Sequence, residues 1–265
     1  MAADQLHIHL ISLKQGKTTQ DVMRSIIETP MIRGKPHGWI HQPHSLNKNQ
    51  LLQHDWNLFL VTREPKLPNA ALEHIEAHLR IPFFIPKDRF EQLRSTLTSQ
   101  PKASDKTPPL PQEWQGGGIP ASAITNPKNG LLGCGELRLD PSMADFLSNA
   151  LPSELANKPV SLFNLFKYKG SSAIHDDYME DFKKGFGNSA GATVRFMGPV
   201  DGALISSDGS RAERCWDDVN LVQYDTIWHY AYMLSTDLYA PMNKKKVSGL
   251  DDTCILCVSE IELWK

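Results

Sequence analysis

The sequence predicts an α+β fold made of two successive units with the same order of elements. Three observations support this prediction: apolar runs typical of buried strands, amphipathic helices between them, and one long segment without periodicity that separates two such sets. In each set the order is strand, helix, strand, strand, helix, strand, which is the ferredoxin-like (βαββαβ) pattern. We therefore expect a degenerate N-terminal unit over 1–94, a linker or long loop over 95–134, and a C-terminal unit over 135–265.

Six segments predict the elements of the first unit. QLHIHLISLK (5–14) alternates and is rich in β-formers, which favours a strand. TTQDVMRSIIE has a capping threonine and an apolar stripe at Val22, Ile26 and Ile27, which favours a helix. The remaining four are predicted as strand, strand, helix and strand in the order GKPHGWIHQPH, DWNLFLVTR, LPNAALEHIEAHL with Asn69 as N-cap, and RIPFFIP.

The segment between the units has a different composition. STLTSQPKASDKTPPLPQEWQGGGIPASAITNPK (95–128) is rich in Pro, Gly, Ser and Thr and has no hydrophobic period. A segment of this length is long for a loop inside a compact domain, so it favours a connection between two units.

The second unit repeats the element order. Its predicted elements are, in sequence, strand PVSLFNLFKYK, helix IHDDYMEDFKKGFG, a bent or paired strand ATVRFMGPVDGALIS, strand DDVNLVQYD, helix TIWHYAYML and strand DTCILCVSEIELW. In the last helix we expect Ile227, Ala231, Leu234 and Leu238 to share one face. Each sheet would leave one face uncovered by its helices, and placing the two bare faces together would close a common core.

Two segments of the second unit carry a resemblance to a known superfamily. VSLFNLFKYK and DDVNLVQYDTIWHYAYMLSTDLYAPMNKKKVSGLDDTCIL resemble the opening strand and the tail of dimeric α/β-barrel proteins, and are most similar to an uncharacterised fungal group with a two-part chain. The resemblance implies that the two units pack as an intramolecular dimeric α/β barrel. Where the superfamily motif has a proline and a His-Arg pair, this chain has Asp225 and Lys245-Lys246.

The resemblance does not carry a reaction with it. The superfamily includes heme-dependent enzymes, cofactor-free monooxygenases, polyketide cyclases, lactone isomerases and stress proteins, so the fold is implied but the chemistry is not.

Composition excludes several classes of function. The net charge of −2 provides no basic excess for nucleic acid or anionic lipid. The N-terminal residues do not resemble a signal peptide and no apolar run is long enough to span a membrane, so we expect a cytoplasmic protein, monomeric or homodimeric. Cys254 and Cys257 spell CxxC, but residues three apart in a strand point to opposite faces, which predicts structural cysteines.

Three polar residues of the second unit are candidates for catalysis. Asn164 lies on a strand face whose other residues are apolar. Its amide there can orient an oxygen of a ligand or form a hydrogen bond with a neighbouring side chain. Tyr224 ends its strand, where its hydroxyl can donate to an oxyanion or simply be solvated. His229 lies in the first turn of a helix capped by Thr226, where the helix dipole disfavours the cation and leaves a neutral base. Core packing is the alternative role for His229.

Four aromatic residues are candidates for substrate binding, namely Tyr178, Trp228, Phe166 and Tyr232. We expect them to wall a pocket between the second sheet and its helices.

The histidines are concentrated in the first unit. Eight of the ten precede residue 80: His7, His9, His37, His41, His44, His54, His74 and His78. His7 and His9 share a strand face, and His74 and His78 are spaced for one helix face, so converging imidazoles allow a metal site as an alternative to a polar surface. No ligand motif such as HExxH is present.

The function these features favour is an acid/base enzyme without a tightly bound organic cofactor. It would act as a cyclase, dehydratase, isomerase or decarboxylase (a lyase or isomerase) on a small, largely apolar, oxygenated metabolite of the kind found in secondary metabolism. The alternatives are a non-catalytic stress or small-ligand-binding protein, and a metal- or heme-dependent enzyme that uses the N-terminal histidines.

Overall fold

The protein has the predicted α+β fold, in which helices pack on one antiparallel sheet that contains strands from both halves of the chain. A computed structural model describes residues 3–26, 29–87, 90, 109–115, 117–124, 139–149, 151–153, 156–182, 184, 190–206, 209–211 and 215–261. Its strands are β1 Ala3–Leu13, β2 Ile32–His41, β3 Leu58–Thr62, β4 Ile75–Pro86, β5 Val160–Tyr168, β6 Ala192–Pro199, β7 Ile205–Ser206, β8 Asp218–Tyr224 and β9 Leu250–Glu260. Its α-helices are α1 Thr19–Arg24, α2 Lys48–Leu52, α3 Asn69–Leu72, α4 Pro141–Asn149, α5 Ala173–Asp181, α6 Ile227–Ser235 and α7 Tyr239–Ser248.

The strand order groups the two halves of the chain side by side. The sheet runs β6-β8-β5-β9-β2-β3-β1-β4-β7, and every pairing in it is antiparallel. The order is β2-β3-β1-β4 in the first half and β6-β8-β5-β9 in the second. If β5, β6, β8 and β9 are counted as the four strands of the second half, both halves have the order second, third, first, fourth. The halves meet where β9 pairs with β2, for example Leu256 with Trp39. They meet again where Phe83 of β4 bridges Val200, directly after β6.

One apolar core is shared by both halves. Strand β5 alternates, so that Phe163 and Leu165 belong to this core while Leu162 belongs to a second cluster under the helices. Aromatic rings from the two halves meet inside it: the centroids of Phe59 and Phe163 are 5.3 Å apart. Such pairs add about 0.5–1.5 kcal/mol to the free energy of area burial, which stabilises the association of the halves.

The outer faces of the sheet are covered differently. In the first half only the short helices α1 and α3 contribute to a small cluster with β1 and β3. In the second half α4 to α7, together with the segment around Trp114, form a much larger cluster. The CxxC prediction is confirmed, because Cys254 lies in the shared core and Cys257 in the cluster under the helices.

The predicted helix LPNAALEHIEAHL is wrong beyond its first turn. Helix α3 ends at Leu72, Asn69 is its first residue and not its N-cap, and strand β4 begins at Ile75. Helix formers such as Ala, Leu and Glu favoured the helix, but Ile75 and the apolar residues after it recur with a period of two, which suits a strand with one buried face. His74 and His78 therefore do not share a helix face.

The predicted position of Leu238 on the apolar face of its helix is wrong. Helix α6 ends at Ser235, so Leu238 lies beyond it and is 73% exposed, not on the apolar face.

Most of the predicted linker 95–134 lies outside the described residues. Two short 3-10 helices within it, Gln112–Trp114 and Ala121–Ala123, pack near α6. Among the helices of the described part of the chain, none has the length and apolar character needed to cross a bilayer.

Gly198 provides a test of the close approach of β6 to β4. A Cβ atom at Gly198 would lie 1.8 Å from the carbonyl oxygen of Phe84, a backbone atom that cannot turn aside. Gly198→Ala is expected to lower the free energy of unfolding by about 2–3 kcal/mol in urea titrations, because the strands would have to separate. Gly118→Ala is the matched control, since no atom lies within 4 Å of its Cβ position. Equal stability of the two variants would contradict this approach of the strands.

Candidate functional site

A cavity opens between the outer face of the second half's sheet and helices α5, α6 and α7. Its empty space is about 420 Å³, including solvent at the mouth. Strands β5, β8 and β9 form its floor and the helices form its walls. It is lined by Leu162, Asn164, Phe166, Tyr178, Met179, Phe182, Asn220, Val222, Tyr224, Tyr230, Met233, Tyr239, Lys246 and Ile255.

Two amides form the polar part of the floor. Asn164 of β5 lies directly opposite Asn220 of β8. The Nδ2 group of Asn164 donates to the carbonyl oxygen of Leu162 at 2.9 Å and to Oδ1 of Asn220 at 2.8 Å. Both N–H bonds of Asn164 are therefore used, and the amide group of Asn220 is oriented with its nitrogen away from Asn164. Among the residues that the structure describes, no acceptor bonds that Asn220 nitrogen.

Lys246 brings the cavity its only lining cation among the described residues. Its side chain is buried, and Nζ lies 5.3 Å from the ring centroid of Phe166 and 5.9 Å from that of Tyr178. No carboxylate of the described part of the chain lies within ion-pair distance of it. Burial lowers the pKa of Lys246 to about 8, so a substantial fraction of neutral amine exists near neutral pH.

Helix geometry explains why Lys246 is buried within a run of three lysines. Successive residues are about 100° apart around a helix, so neighbours in α7 face different surroundings. Lys245 points toward α5, where Nζ bonds Asp181 at 2.8 Å and lies 3.8 Å from Asp177. With Lys245 on the solvated side of the α5–α7 contact, Lys246 turns inward beneath it.

Four tyrosines line the end of the cavity where α5, α6 and α7 meet. The hydroxyl groups of Tyr178 and Tyr239 are hydrogen-bonded to each other. Burial raises the pKa of Tyr239 to about 12, against the effect of that bond. Tyr224 donates weakly to Sδ of Met233 at 3.7 Å, and the buried hydroxyl of Tyr230 has no hydrogen-bond partner in the described ranges. Burial keeps all four hydroxyls neutral, but the O–H of Tyr224 is used on Met233 and one O–H is used between Tyr178 and Tyr239. The O–H of Tyr230 is available to a ligand.

A chain of hydrogen bonds lies behind the wall formed by Phe166. The hydroxyl of Tyr168 donates to Oδ2 of Asp218 at 2.5 Å and lies 3.0 Å from Nδ1 of His175. Since the Tyr168 hydrogen goes to Asp218, its oxygen accepts from the His175 ring. The His175 ring is fully buried, with its centroid 4.5 Å from that of Phe166. This chain fixes the position of the wall.

Four of the predicted site residues are brought together in the cavity. Asn164, Tyr224, Tyr178 and Phe166 all line it. No role for Lys246 or Asn220 was predictable from a motif. The signal for Asn220 was its place on the same strand face as Val222 and Tyr224. Lys246 carried no such signal, because a run of lysines usually marks a solvated helix surface.

The other three predicted site residues lie elsewhere on α6. His229 Nδ1 is 2.8 Å from Oγ1 of Thr226, the N-cap of the helix, and its ring is half-buried outside the cavity lining. Burial lowers the pKa of His229, although Asp225 opposes this. Tyr232 packs edge-on against Trp114 at 5.5 Å, and Trp228 lies in the same cluster. The second apolar face of α6 therefore covers the 109–124 segment.

Two histidines of the first half, His9 and His78, are hydrogen-bonded to each other. His9 Nδ1 is 2.8 Å from His78 Nε2, and His9 Nε2 is 2.8 Å from the hydroxyl of Thr62. Within the described ranges, no group of three or more His, Cys, Asp or Glu side chains is arranged to hold a metal ion.

Comparisons with known proteins add one distant likeness. No model of a protein family matches this sequence, and the comparison with curated proteins found no match. One crystal structure is similar to part of the chain: a protein of unknown function from Rhodopseudomonas palustris, with 15% sequence identity, a TM-score of 0.40, and coverage of 49% of this chain and 100% of the other. This likeness indicates nothing about what either protein does.

Proposed function

We propose that the chain is an acid/base enzyme that acts on a small, largely apolar, oxygenated molecule in the cavity of its second half. The observation that carries the proposal is Lys246, a buried lysine without an anionic partner in the described part of the chain, in a cavity walled by aromatic and aliphatic side chains. Burying an unpaired amine destabilises a fold, so its retention there is typical of a residue that binds or reacts.

The reaction class follows from the groups at hand. The neutral amine of Lys246 accepts a proton from carbon or oxygen, while Asn220 and the Tyr230 hydroxyl donate hydrogen bonds to an oxygen that gains negative charge. Abstraction of a proton next to a carbonyl, stabilised in this way, is a step common to isomerases, cyclases, dehydratases and many decarboxylases. No carboxylate is among the described residues that line the cavity, so Lys246 takes the role of base.

The same proposal includes the finer architecture. We infer that the halves are two ferredoxin-like units packed as an intramolecular dimeric α/β barrel, as the resemblance in the second half implies. The supporting facts are the identical internal strand order of the two halves, the β9–β2 pairing, and the approach of β6 to β4. An open sheet whose ends did not meet would leave Phe196 and Phe83 exposed, whereas their rings pack 4.9 Å apart.

Lys246→Met tests the function against a matched neighbour. The variant is expected to lose binding of small aromatic carbonyl compounds by about tenfold or more, because the charge-assisted hydrogen bond disappears. It should also gain about 3 kcal/mol in free energy of unfolding at pH 7, since the amine's pKa is lowered from 10.5 to about 8 at about 1.4 kcal/mol per unit. Thermal-shift titration with acetophenone and urea unfolding measure the two effects. Lys245→Met should keep the binding and gain no stability.

The pH dependence of stability is a second test of the lowered pKa of Lys246. Between pH 8 and 10.5 the unfolded chain holds a proton on Lys246 that the folded chain has lost, so this group makes stability rise with pH in that window. In Lys246→Met the rise should disappear.

Turnover distinguishes an enzyme from a ligand-binding protein. In D2O, an enzyme of the proposed class should catalyse deuterium incorporation at the carbon next to the carbonyl of a bound ketone such as acetophenone, detected by NMR. Tight binding without exchange of any bound ketone would favour the non-catalytic ligand-binding alternative. Absence of binding by the wild-type chain across a panel of small aromatic ketones, aldehydes and acids would contradict the proposed site.

A further inference from the structure

The surroundings of Lys246 contrast with those of the lysine before it. Lys245 has the environment of a structural lysine, with its ammonium paired to Asp181 and near Asp177 on α5. Lys246 has its ammonium against two aromatic faces, with no carboxylate in reach in the described part of the chain. A lysine that served only to hold α7 in place would resemble Lys245. The environment of Lys246 suits an amine that must be available to a ligand.

The cavity also excludes the usual competitors of an amine nucleophile. Nζ of Lys246 lies against the rings of Phe166 and Tyr178 and its side chain is buried, so bulk water has limited access. Desolvation in an apolar pocket is one of the established ways in which a lysine is activated for attack on a carbonyl. A pKa of about 8 leaves roughly a tenth of Lys246 as free amine at pH 7, compared with well under a thousandth for an ordinary lysine.

We propose that Lys246 forms an imine with the carbonyl carbon of an apolar aldehyde or ketone. This inference rests on the proposed function and specifies its substrate class. The lone pair of Nζ adds to the carbonyl carbon and the oxygen takes up a proton, which gives a carbinolamine. The C–O bond then breaks, a C=N bond forms, and the oxygen leaves as water with the two hydrogens of the amine. No oxidant or reductant is needed.

The amide floor supports this chemistry. The Nδ2 group of Asn220 has no acceptor in the described part of the structure, and its N–H bonds are available for the carbonyl oxygen during attack. Asn164 holds Asn220 in that orientation through the 2.8 Å bond between their side chains. Once formed, the protonated imine withdraws electrons from the adjacent carbon, which eases loss of carbon dioxide there, or of a proton to the water molecule released when the imine forms. Lys246 is then the electron sink and no longer the base, while the reaction classes of the proposed function stay the same.

Reductive trapping tests the imine directly. Full-length protein is incubated at pH 7 with benzaldehyde and sodium cyanoborohydride, which reduces an imine to a stable secondary amine. Peptide mass spectrometry then locates the adduct, whose added mass is that of benzaldehyde less one oxygen atom. We expect Lys246 to be labelled at least about tenfold faster than any other lysine, in line with its larger fraction of free amine. Labelling spread evenly over the lysines would overturn the proposal.

Two variants and a pH series separate real reactivity from accessibility. Lys245→Met should retain rapid labelling at Lys246, and Asn220→Leu should slow it while leaving the labelling of surface lysines unchanged. The rate at Lys246 should rise toward a plateau above about pH 8, whereas the rates of surface lysines keep rising to much higher pH. A rate at Lys246 that follows the surface lysines through the whole series would contradict the assignment.

Failure of the imine and failure of the proposed site give different results. If benzaldehyde and benzoate both raise the melting temperature of the wild type but not of Lys246→Met, and no adduct forms at Lys246, the site stands and the imine is wrong. If neither compound raises the melting temperature and no adduct forms, both are wrong. Binding together with a specific adduct at Lys246 supports both.

Discussion

Replacing Asp252 by alanine is expected to lower the free energy of unfolding by about 3–5 kcal/mol, comparable to breaking a buried ion pair. Asp252 lies near the start of β9 and is 3% exposed. Its carboxylate accepts from the backbone N–H groups of His44, Ser45 and Leu46, at 2.9, 2.9 and 2.7 Å. Three successive N–H groups converging on one anion form a concave binding site of the kind called a nest.

These three hydrogen bonds to Asp252, called the Asp252 clamp here, have a large effect because they join distant parts of the chain. The accepting carboxylate belongs to the last strand of the second half, and the donors belong to the loop that follows β2 in the first half. Hydrogen bonds to a charged acceptor contribute about 1.5–3 kcal/mol each, and the alanine variant leaves the buried N–H of Leu46 without an acceptor. In the variant the backbone N–H groups of His44 and Ser45 can hydrogen-bond to water. The loss in free energy of unfolding is therefore smaller than the sum of the three hydrogen-bond contributions.

Urea titration of three variants distinguishes this clamp from a general effect of position. Asp252→Asn keeps the volume and one acceptor oxygen and should lose less stability than Asp252→Ala. Asp251→Ala changes the exposed neighbour on the same strand and should alter the free energy of unfolding by less than about 1 kcal/mol. A loss below 1 kcal/mol in Asp252→Ala would show that solvent replaces the carboxylate without cost.

The strands were predictable because their signal is local. DWNLFLVTR contains the apolar run LFLV and VSLFNLFKYK is mostly apolar, and β3 and β5 lie within them, largely buried on both faces. The N-cap Thr226 was predictable for the same reason, since a capping side chain acts on the N–H three residues ahead. The segment after Asn69 failed because helix propensity and strand periodicity conflict there, and pairing with β1 decided the outcome.

The site was only half predictable, and the difference lies in which contacts create it. Asn164 and Tyr224 sit on strand faces, whose alternation can be read from the sequence. The burial of Lys246 depends on how α7 packs against α5, which no local pattern encodes. His229 and Trp228 were expected in a pocket because α6 is apolar on two faces, but one of those faces packs on the 109–124 segment. Which apolar face meets a cavity and which meets a loop is a long-range property.

A fall in pH from 7 to 4.5 is expected to lower the free energy of unfolding by at least about 3 kcal/mol, with a large part arising from the histidines of β1 and β4. Burial lowers the pKa of His7 to about 4 and that of His78 to about 4, and it lowers the pKa of His9 well below 6.5. Nearby Arg80 acts in the same direction on all three, while Asp201 opposes it at His7.

The hydrogen bonds show why these rings resist protonation. The hydroxyl of Thr62 donates to the carbonyl oxygen of Glu64 at 2.7 Å, so its oxygen accepts from Nε2–H of His9. His9 Nδ1 is then the acceptor of the bond from Nε2–H of His78. A proton on His9 Nδ1 would remove that acceptor and place two N–H donors face to face.

The sign of the effect follows from the lowered pKa values. Between pH 6.5 and about 4 the unfolded chain takes up protons on these histidines that the folded chain does not, so stability falls as the pH falls through this window and levels off below it. One histidine lowered from 6.5 to about 4 contributes up to about 3 kcal/mol, and interacting sites do not simply add. Raised carboxyl pKa values at Asp218 and Glu260 act in the opposite direction.

Removing the titration without removing the hydrogen bond isolates the effect. In His78→Gln the side-chain amide can still donate to His9 but cannot take up a proton, and His7→Gln removes a second titrating ring. The double variant should lose about a third or more of the pH dependence measured by urea titration between pH 7 and 4.5, in proportion to the titrating groups removed. Gly118→Ala, which adds a methyl group where no atom lies within 4 Å, is the control and should keep the slope of the wild type. An identical slope in the double variant and the wild type would show that other groups, and not this cluster, cause acid unfolding.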